Sequence, residues 1–172
     1  MSRAESAPLQ VRPVEPGDAP ALADLINAII ARGGTTAFEE PFTPGHLADA
    51  YLFGPHMHSA VVALDGDRYE GFQILGLFGD PMPEGWGDIG TFARVEGNRK
   101  GVGTALFAAT CANARARGLT AINATIRGDN AGGLSFYGRM GFEDYAVDRA
   151  VPLKDGTPVD RVRKRFWLGG ER

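Results

Sequence analysis

The stretch Asp88-Ile-Gly-Thr-Phe-Ala-Arg-Val-Glu-Gly-Asn-Arg-Lys-Gly-Val-Gly-Thr-Ala-Leu106 carries an extended segment into a basic, glycine-containing turn that opens a helix. Ile89, Thr91 and Ala93 alternate at strand spacing, whereas Val102, Ala105, Leu106 and Ala109 recur at helical spacing, so the period changes around Gly101 to Gly103. The first N–H groups of a helix lack intrahelical acceptors and the helix dipole is positive there. Bare backbone at Gly101 and Gly103 therefore suits the close approach of an anion, and Arg99 and Lys100 add charge beside it. Two commoner phosphate motifs do not fit. A P-loop needs Gly-Lys followed by Ser or Thr, but Lys100 precedes Gly101; the dinucleotide fingerprint needs a third glycine where Leu106 stands. An ordinary strand-to-helix turn uses glycine too, so a second element has to decide.

That element is Asn130 to Phe142, Asn-Ala-Gly-Gly-Leu-Ser-Phe-Tyr-Gly-Arg-Met-Gly-Phe, which follows a strand-like Leu119 to Ile126. Together the two stretches resemble the GCN5-related N-acetyltransferase superfamily, in which an asparagine opens a short helix, a tyrosine sits two turns on and Gly-Phe ends it. Here those are Asn130, Tyr137 and Gly141-Phe142. The family's phosphate motif falls on Asn98 to Gly103, with Asn98 in place of the usual Arg or Gln. Asparagine still donates a hydrogen bond but is short and neutral, which leaves more of the charge complementarity to Arg99 and Lys100. Thr36 to Pro44 and Asp155 to Leu168 are similar to segments of the phosphinothricin-type branch.

The resemblance implies a mixed α/β fold: a central, mostly antiparallel sheet with a splayed motif strand and helices on both faces. It implies transfer of an acetyl group from acetyl-coenzyme A to the primary amine of a small amino-acid-like acceptor, by direct attack in a ternary complex. The alternatives are a peptide or protein N-terminus as acceptor, and a non-catalytic acyl-coenzyme sensor. The chemistry makes three demands: the ammonium must lose a proton, the carbonyl oxygen becomes negative, and the departing thiolate benefits from a proton. Asp88 falls where the resemblance implies an acidic base, although an aspartate capping the turn after Gly87 reads the same way. With an ordinary pKa of about 3.9 it needs burial or a relaying water. Glu84, Glu39 and Glu40 are substitutes. For the oxyanion and pantetheine arm, the resemblance points to backbone at Phe92, Ala93 and Arg94, freed by a bulge. Tyr137 is the implied general acid, against a purely core role beside Phe136 and Leu134. The coenzyme set is completed by Asn98, Arg99, Lys100, Gly101, Val102, Gly103, Thr104 and Asn130, and the substrate side by Phe38, Glu40 and Trp86. The resemblance also suggests Arg127 or Arg139 to meet an acceptor carboxylate, against the plainer reading of surface arginines that only solvate. A homodimer is also implied.

Composition agrees with this class. The chain has 172 residues, 44% hydrophobic, with a formal net charge of -3, so residues 1–172 are expected to bury a core as one domain without a staple. The slight acidity argues against general nucleic-acid binding, and Arg161, Arg163, Lys164 and Arg165 read as a solvated strand face. The single cysteine, Cys111, has no histidine near it in sequence and reads as a packed core thiol. His46, His56 and His58 lack the partners of a metal set, so no metal is expected. Met1 to Pro8 has no apolar h-region and no later run approaches the roughly twenty residues of a membrane span, which predicts a cytoplasmic protein with no membrane partner.

Strands are expected at Leu9 to Val14, Ser59 to Leu64, Gly71 to Phe78, Tyr145 to Pro152 and Val159 to Leu168, besides the motif strand and Leu119 to Ile126. A helix is expected from Asp18 to Gly33-Gly34, with a weaker one near His46 to Phe53.

Overall fold

The computed structural model describes residues 8–97 and 99–169. Strand β1 (Gln10–Pro13) leads through a short 3-10 turn into helix α1 (Ala19–Arg32). Pro20 fits the first turn of α1, where a missing N–H costs nothing, and Gly33 ends the helix with a φ of 73°. Helix α2 (Pro44–Leu47) is capped by the Thr43 hydroxyl and runs on as a single π-helical turn through Leu52, so the weak helix expected at His46 to Phe53 starts earlier and is irregular. Strands β2 (Met57–Asp65) and β3 (Arg68–Gly76) form a hairpin whose turn is Gly66-Asp67. The motif strand β4 (Trp86–Ala93) feeds helix α3 (Val102–Ala116). Strand β5 (Ala121–Arg127) and helix α4 (Ala131–Met140) follow, and β6 (Glu143–Pro152) and β7 (Pro158–Trp167) close the chain.

The seven strands make one sheet in the order β1-β2-β3-β4-β5-β7-β6. All neighbours are antiparallel except β4 and β5. Alternation along the strands splits the core into two layers. Val62, Leu64, Phe72, Ile74 and Phe92 pack against α1 and α2 on one face. Val61, Ala63, Leu75, Ile89, Ile122, Ala124 and Ile126 pack with residues of α3 and α4 on the other. Cys111 is buried in this second layer, and burial pushes its thiol above the ordinary value.

The parallel pairing of β4 with β5 covers only Trp86↔Ala121, Gly87↔Ile122 and Asp88↔Asn123. Beyond Asp88, β4 pairs only with β3, and beyond Asn123, β5 pairs only with β7. The sheet therefore opens like a V in its middle. The expected bulge is not the cause, because the β3–β4 register runs without a shift from Gly76↔Asp88 to Gly71↔Ala93. It is β5 that diverges, to stay with β7.

Candidate active site

The V opens into a cavity of about 920 Å³. Its walls are β4 from Asp88 to Ala93, the ends of β5 and α4, the loop after α1 and part of β6 and β7. Among the expected site residues, Asp88, Phe92, Ala93, Arg94, Gly103, Asn130, Tyr137 and Phe38 line it.

Asp88 is 6% exposed. Its Oδ1 accepts a hydrogen bond from Asn123 Nδ2 at 2.9 Å, and Asn123 is itself fixed by Thr125 Oγ1 and by the Tyr145 hydroxyl. Burial raises the Asp88 carboxyl from 3.8 to about 6, against the Asn123 and Ile89 hydrogen bonds, which favour the ionised form. A Cβ on Gly79 would stand 2.5 Å from Asp88 Oδ2. The bare glycine thus leaves the second oxygen open toward the cavity it helps to line.

Tyr137 lies on the other side of the sheet, since Asp88 and Thr91 occupy opposite faces of β4. Its hydroxyl is 2.8 Å from Thr91 Oγ1, and its ring packs edge-on against Phe136 and Phe142. Burial pushes the phenol above its ordinary value and the Thr91 contact works against that, so it stays protonated at neutral pH. The packing role and the polar contact therefore coexist in one residue.

Arg94 N–H donates to Glu70 O on β3. Because antiparallel neighbours alternate, the N–H groups of Gly90 and Phe92 also face β3, while those of Thr91 and Ala93 face the opening. Of the expected donors at Phe92 to Arg94, Ala93 alone has its N–H free toward the cavity, and Thr91 joins it.

At the start of α3, Gly101 adopts a left-handed φ of 85°, and the first intrahelical bond runs from Ala105 N to Gly101 O. The N–H groups of Val102, Gly103 and Thr104 are the unpaired first-turn donors of a helix. The Val102 side chain is buried in the core, so only its backbone is on offer. Lys100 and Thr104 are exposed. Arg99 pairs with Asp65 at 3.5 Å and its N–H donates to the buried Glu70 carboxylate. Asn98 lies outside the described residues. A Cβ on Gly103 would meet the Phe136 ring at 2.6 Å, so α3 and α4 approach one another there through bare backbone. An open cleft bounded by free N–H groups at its edge and by a helix N-terminus at its end fits an extended thioester arm ending in a pyrophosphate.

Asn130 caps α4: its Oδ1 accepts from Gly133 N at 3.0 Å and its Nδ2 donates to Thr35 O at 3.1 Å. Gly133 is bare for that reason, since a Cβ would sit 2.4 Å from the Asn130 amide nitrogen. Both polar atoms are thus committed to the fold.

Several expected residues lie elsewhere. Trp86 packs edge-on against Tyr145 and Trp167, outside the cavity lining, because its neighbour Gly87 still pairs with β5 before the opening begins. Glu40 is exposed and ion-pairs with Lys154, while Glu39 accepts from the Lys154 N–H, so both fasten the loop after α1 to the β6–β7 turn. Glu84 is exposed in the loop before β4. Arg139 bonds Ser135 on the exposed side of α4; Arg127, by contrast, does line the cavity, with its guanidinium held by Asp129 at 2.7 Å. Among the described residues, no cluster of three or more His, Cys, Asp or Glu side chains is assembled, and no helix is long and apolar enough to cross a membrane.

The basic run on β7 corrects the sequence expectation of a solvated face. Lys164 is buried beside Asp144, and Arg163 is ion-paired to Asp80 and Asp148. Arg161 lines the cavity with its Nε buried and without a hydrogen-bond partner among the described residues, and its charge is felt by Asp129. Arg161, Thr91, Gln73 and Asn123 were not singled out for the site from sequence. The one signal available was the two-residue spacing of Arg161, Arg163 and Arg165, which shows a shared face without showing what it faces.

The same architecture recurs in solved acetyltransferases. A phosphinothricin acetyltransferase from Sinorhizobium meliloti in complex with acetyl-CoA superposes with a TM-score of 0.79 at 20% identity, covering 94% of this chain and 89% of that one. An N-acetyltransferase from Staphylococcus aureus Mu50 gives 0.80 at 16% identity over 95% and 100%. A ribosomal-protein-alanine N-acetyltransferase from Brucella melitensis gives 0.77 at 19% identity over 92% and 99%. No curated protein sequence matches. The acetyltransferase (GNAT) family model matches residues 28–142, which run from the middle of α1 through the whole V to Phe142. With more than half of the chain matched and the opened sheet in place, the protein belongs to the GNAT family of acetyltransferases.

Proposed function

We propose that this acetyltransferase moves the acetyl group of acetyl-CoA to the primary amine of a small acceptor that carries a carboxylate, an amino acid or a close analogue. The observation that carries the reading is the convergence of Asp88 and Tyr137, from opposite faces of β4, on the one cavity where β4 and β5 part.

Bound acetyl-CoA supplies a thioester whose carbonyl carbon gains the C–N bond as its C–S bond breaks. Asp88 takes a proton at its open Oδ2 from the acceptor ammonium, directly or through one water; with a pKa of about 6 it is ionised at neutral pH yet basic enough to do so. The Thr91 and Ala93 N–H groups, fixed by strand geometry, face the place where the carbonyl oxygen gains charge. Tyr137 gives its proton to the sulfur. The N-terminal turn of α3 holds the pyrophosphate.

Arg161 selects among acceptors. The other charged groups of the wall are engaged: Asp80 and Asp148 by Arg163, Arg127 by Asp129, and Arg32 and Arg94 by the backbone carbonyls of Val95 and Tyr69. A guanidinium whose buried Nε has no hydrogen-bond partner in the wall favours a carboxylate from the acceptor. Peptide N-termini lack that charge next to the amine, so the ribosomal-protein type of acceptor fits less well, although the fold alone is equally close to both kinds of enzyme. Family membership disfavours the non-catalytic sensor. The test is a panel of the common amino acids, each paired with its carboxamide, assayed for thiol release from acetyl-CoA. Acids should be accepted at least about tenfold better than their amides, as a charge-assisted hydrogen bond implies. Equal or reversed preference refutes the carboxylate-bearing acceptor.

A further inference from the structure

Three polar side chains run from the middle of the sheet to the cavity. Gln73 Nε2 donates to Thr91 Oγ1 at 2.9 Å, and Thr91 Oγ1 lies 2.8 Å from the Tyr137 oxygen. Gln73 is fully buried on β3, and its Oε1 has no hydrogen-bond partner. An apolar side chain at that position would avoid the unpaired oxygen, so packing gives no reason for the amide.

Donor accounting gives one. The Thr91 hydroxyl has a single hydrogen. Since Gln73 already donates to Thr91 Oγ1, the Thr91 hydrogen is free for the Tyr137 oxygen, and the phenol hydrogen must then point away from Thr91. Thr91 and Tyr137 both line the cavity, so that direction leads into it. The two lone pairs of Thr91 Oγ1 would accept from both Gln73 and Tyr137 in the reverse order, but the Thr91 hydrogen would then have no acceptor among the described residues and no phenol hydrogen would face the cavity.

We propose that Gln73 and Thr91 are positioning residues for the acid step, a one-way chain from the Gln73 amide through the Thr91 hydroxyl to the Tyr137 oxygen that aims the phenol hydrogen at the departing sulfur. The inference rests on Tyr137 being the general acid. In that step the Tyr137 O–H bond breaks and an S–H bond forms. The phenolate accepts from Thr91 O–H until it recovers a proton from the acceptor nitrogen, which must shed a second proton to become an amide nitrogen. Asp88 passes the first proton to solvent. One C–S bond is exchanged for one C–N bond, and one N–H for one S–H. Burial alone would hold the phenol far from giving up its proton, and the Thr91 hydrogen bond opposes that.

The probe is hydroxylamine, a small nucleophile already unprotonated at pH 7.5 that needs neither Asp88 nor Arg161. Acetohydroxamate formation is measured at saturating acetyl-CoA, with the uncatalysed rate subtracted. Thr91→Val should lower kcat about 10- to 100-fold, the worth of a hydrogen bond to a charged group, with KM for acetyl-CoA changed less than about threefold. Thr91→Ser should return most of the rate. In a Tyr137→Phe background, Thr91→Val should add no further loss, because the chain has nothing left to aim. Full additivity of the two losses, or an unchanged kcat in Thr91→Val, overturns the positioning role. Should Thr91→Val fail to fold, Gln73→Met makes the same test from the far end, with a smaller loss that again vanishes without the tyrosine hydroxyl. Full activity in Tyr137→Phe, or no wild-type acceleration, instead refutes the acid assignment beneath it.

Discussion

Asp88→Asn should stabilise the protein at neutral pH while stopping turnover. Asp88 is ionised at pH 7 in a site that raises its carboxyl from 3.8 to about 6. A carboxyl raised on folding favours the folded state only while protonated: that stability is fully present below pH 3.8 and is lost as pH rises through about 6. At about 1.4 kcal/mol per pH unit, the rise amounts to about 3 kcal/mol of destabilisation at pH 7. Asparagine never ionises, but its amide meets the donors Asn123 Nδ2 and Ile89 N–H less well. The expected gain is therefore about 1–3 kcal/mol, or about 3–9 °C in Tm for a chain of this length. Scanning calorimetry of both proteins from pH 4 to pH 8 reads it out. The variant's advantage should be full at pH 7 and above and should vanish near pH 4, where wild-type Asp88 is protonated. A difference in Tm that is independent of pH, or a variant less stable at pH 7, would show that Asp88 carries no burial penalty and lacks the basicity assigned to it.

Gly79→Ala places a methyl group 2.5 Å from Asp88 Oδ2; steady-state kinetics should show a loss in kcat of about tenfold or more, with calorimetric acetyl-CoA affinity unchanged. Gly103→Ala drives a Cβ to 2.6 Å from the Phe136 ring and should weaken acetyl-CoA binding and lower stability by about 1–3 kcal/mol, seen by titration and thermal melts. Arg161→Gln should raise KM for a carboxylate acceptor about 10- to 100-fold and leave its carboxamide unaffected.

The fold was legible because both core motifs are local. The change of period at Gly101 and the Asn130 cap each lie within one stretch of chain, and both helices start where those residues predict. Gly33 and the Asp65 to Asp67 turn are similarly short-range, whereas Asp18 precedes α1 without capping it, its carboxylate being held by Arg12 and Tyr69. Asp88 and Tyr137 were singled out through their register with those motifs, and both line the cavity. What was not legible depends on which strands part company. Trp86 and Asp88 are two residues apart, yet one lies outside the cavity and the other in it, because pairing with β5 ends between Asp88 and Ile89. Arg161 looked like surface because nothing in β7 itself shows that its neighbour β5 has parted from β4 across the sheet. Gln73 read as an ordinary strand residue, since its partner Thr91 is supplied by the neighbouring strand and Tyr137 by a helix farther along the chain.

The central claim, that the V between β4 and β5 is where acetyl transfer occurs, is tested most directly by a crystal structure with acetyl-CoA. The account predicts the sulfur within hydrogen-bond reach of the Tyr137 hydroxyl, the carbonyl oxygen against the Thr91 or Ala93 N–H, and the pyrophosphate on the first turn of α3. A thioester lying outside the V, or more than one water away from both Tyr137 and Asp88, would contradict it.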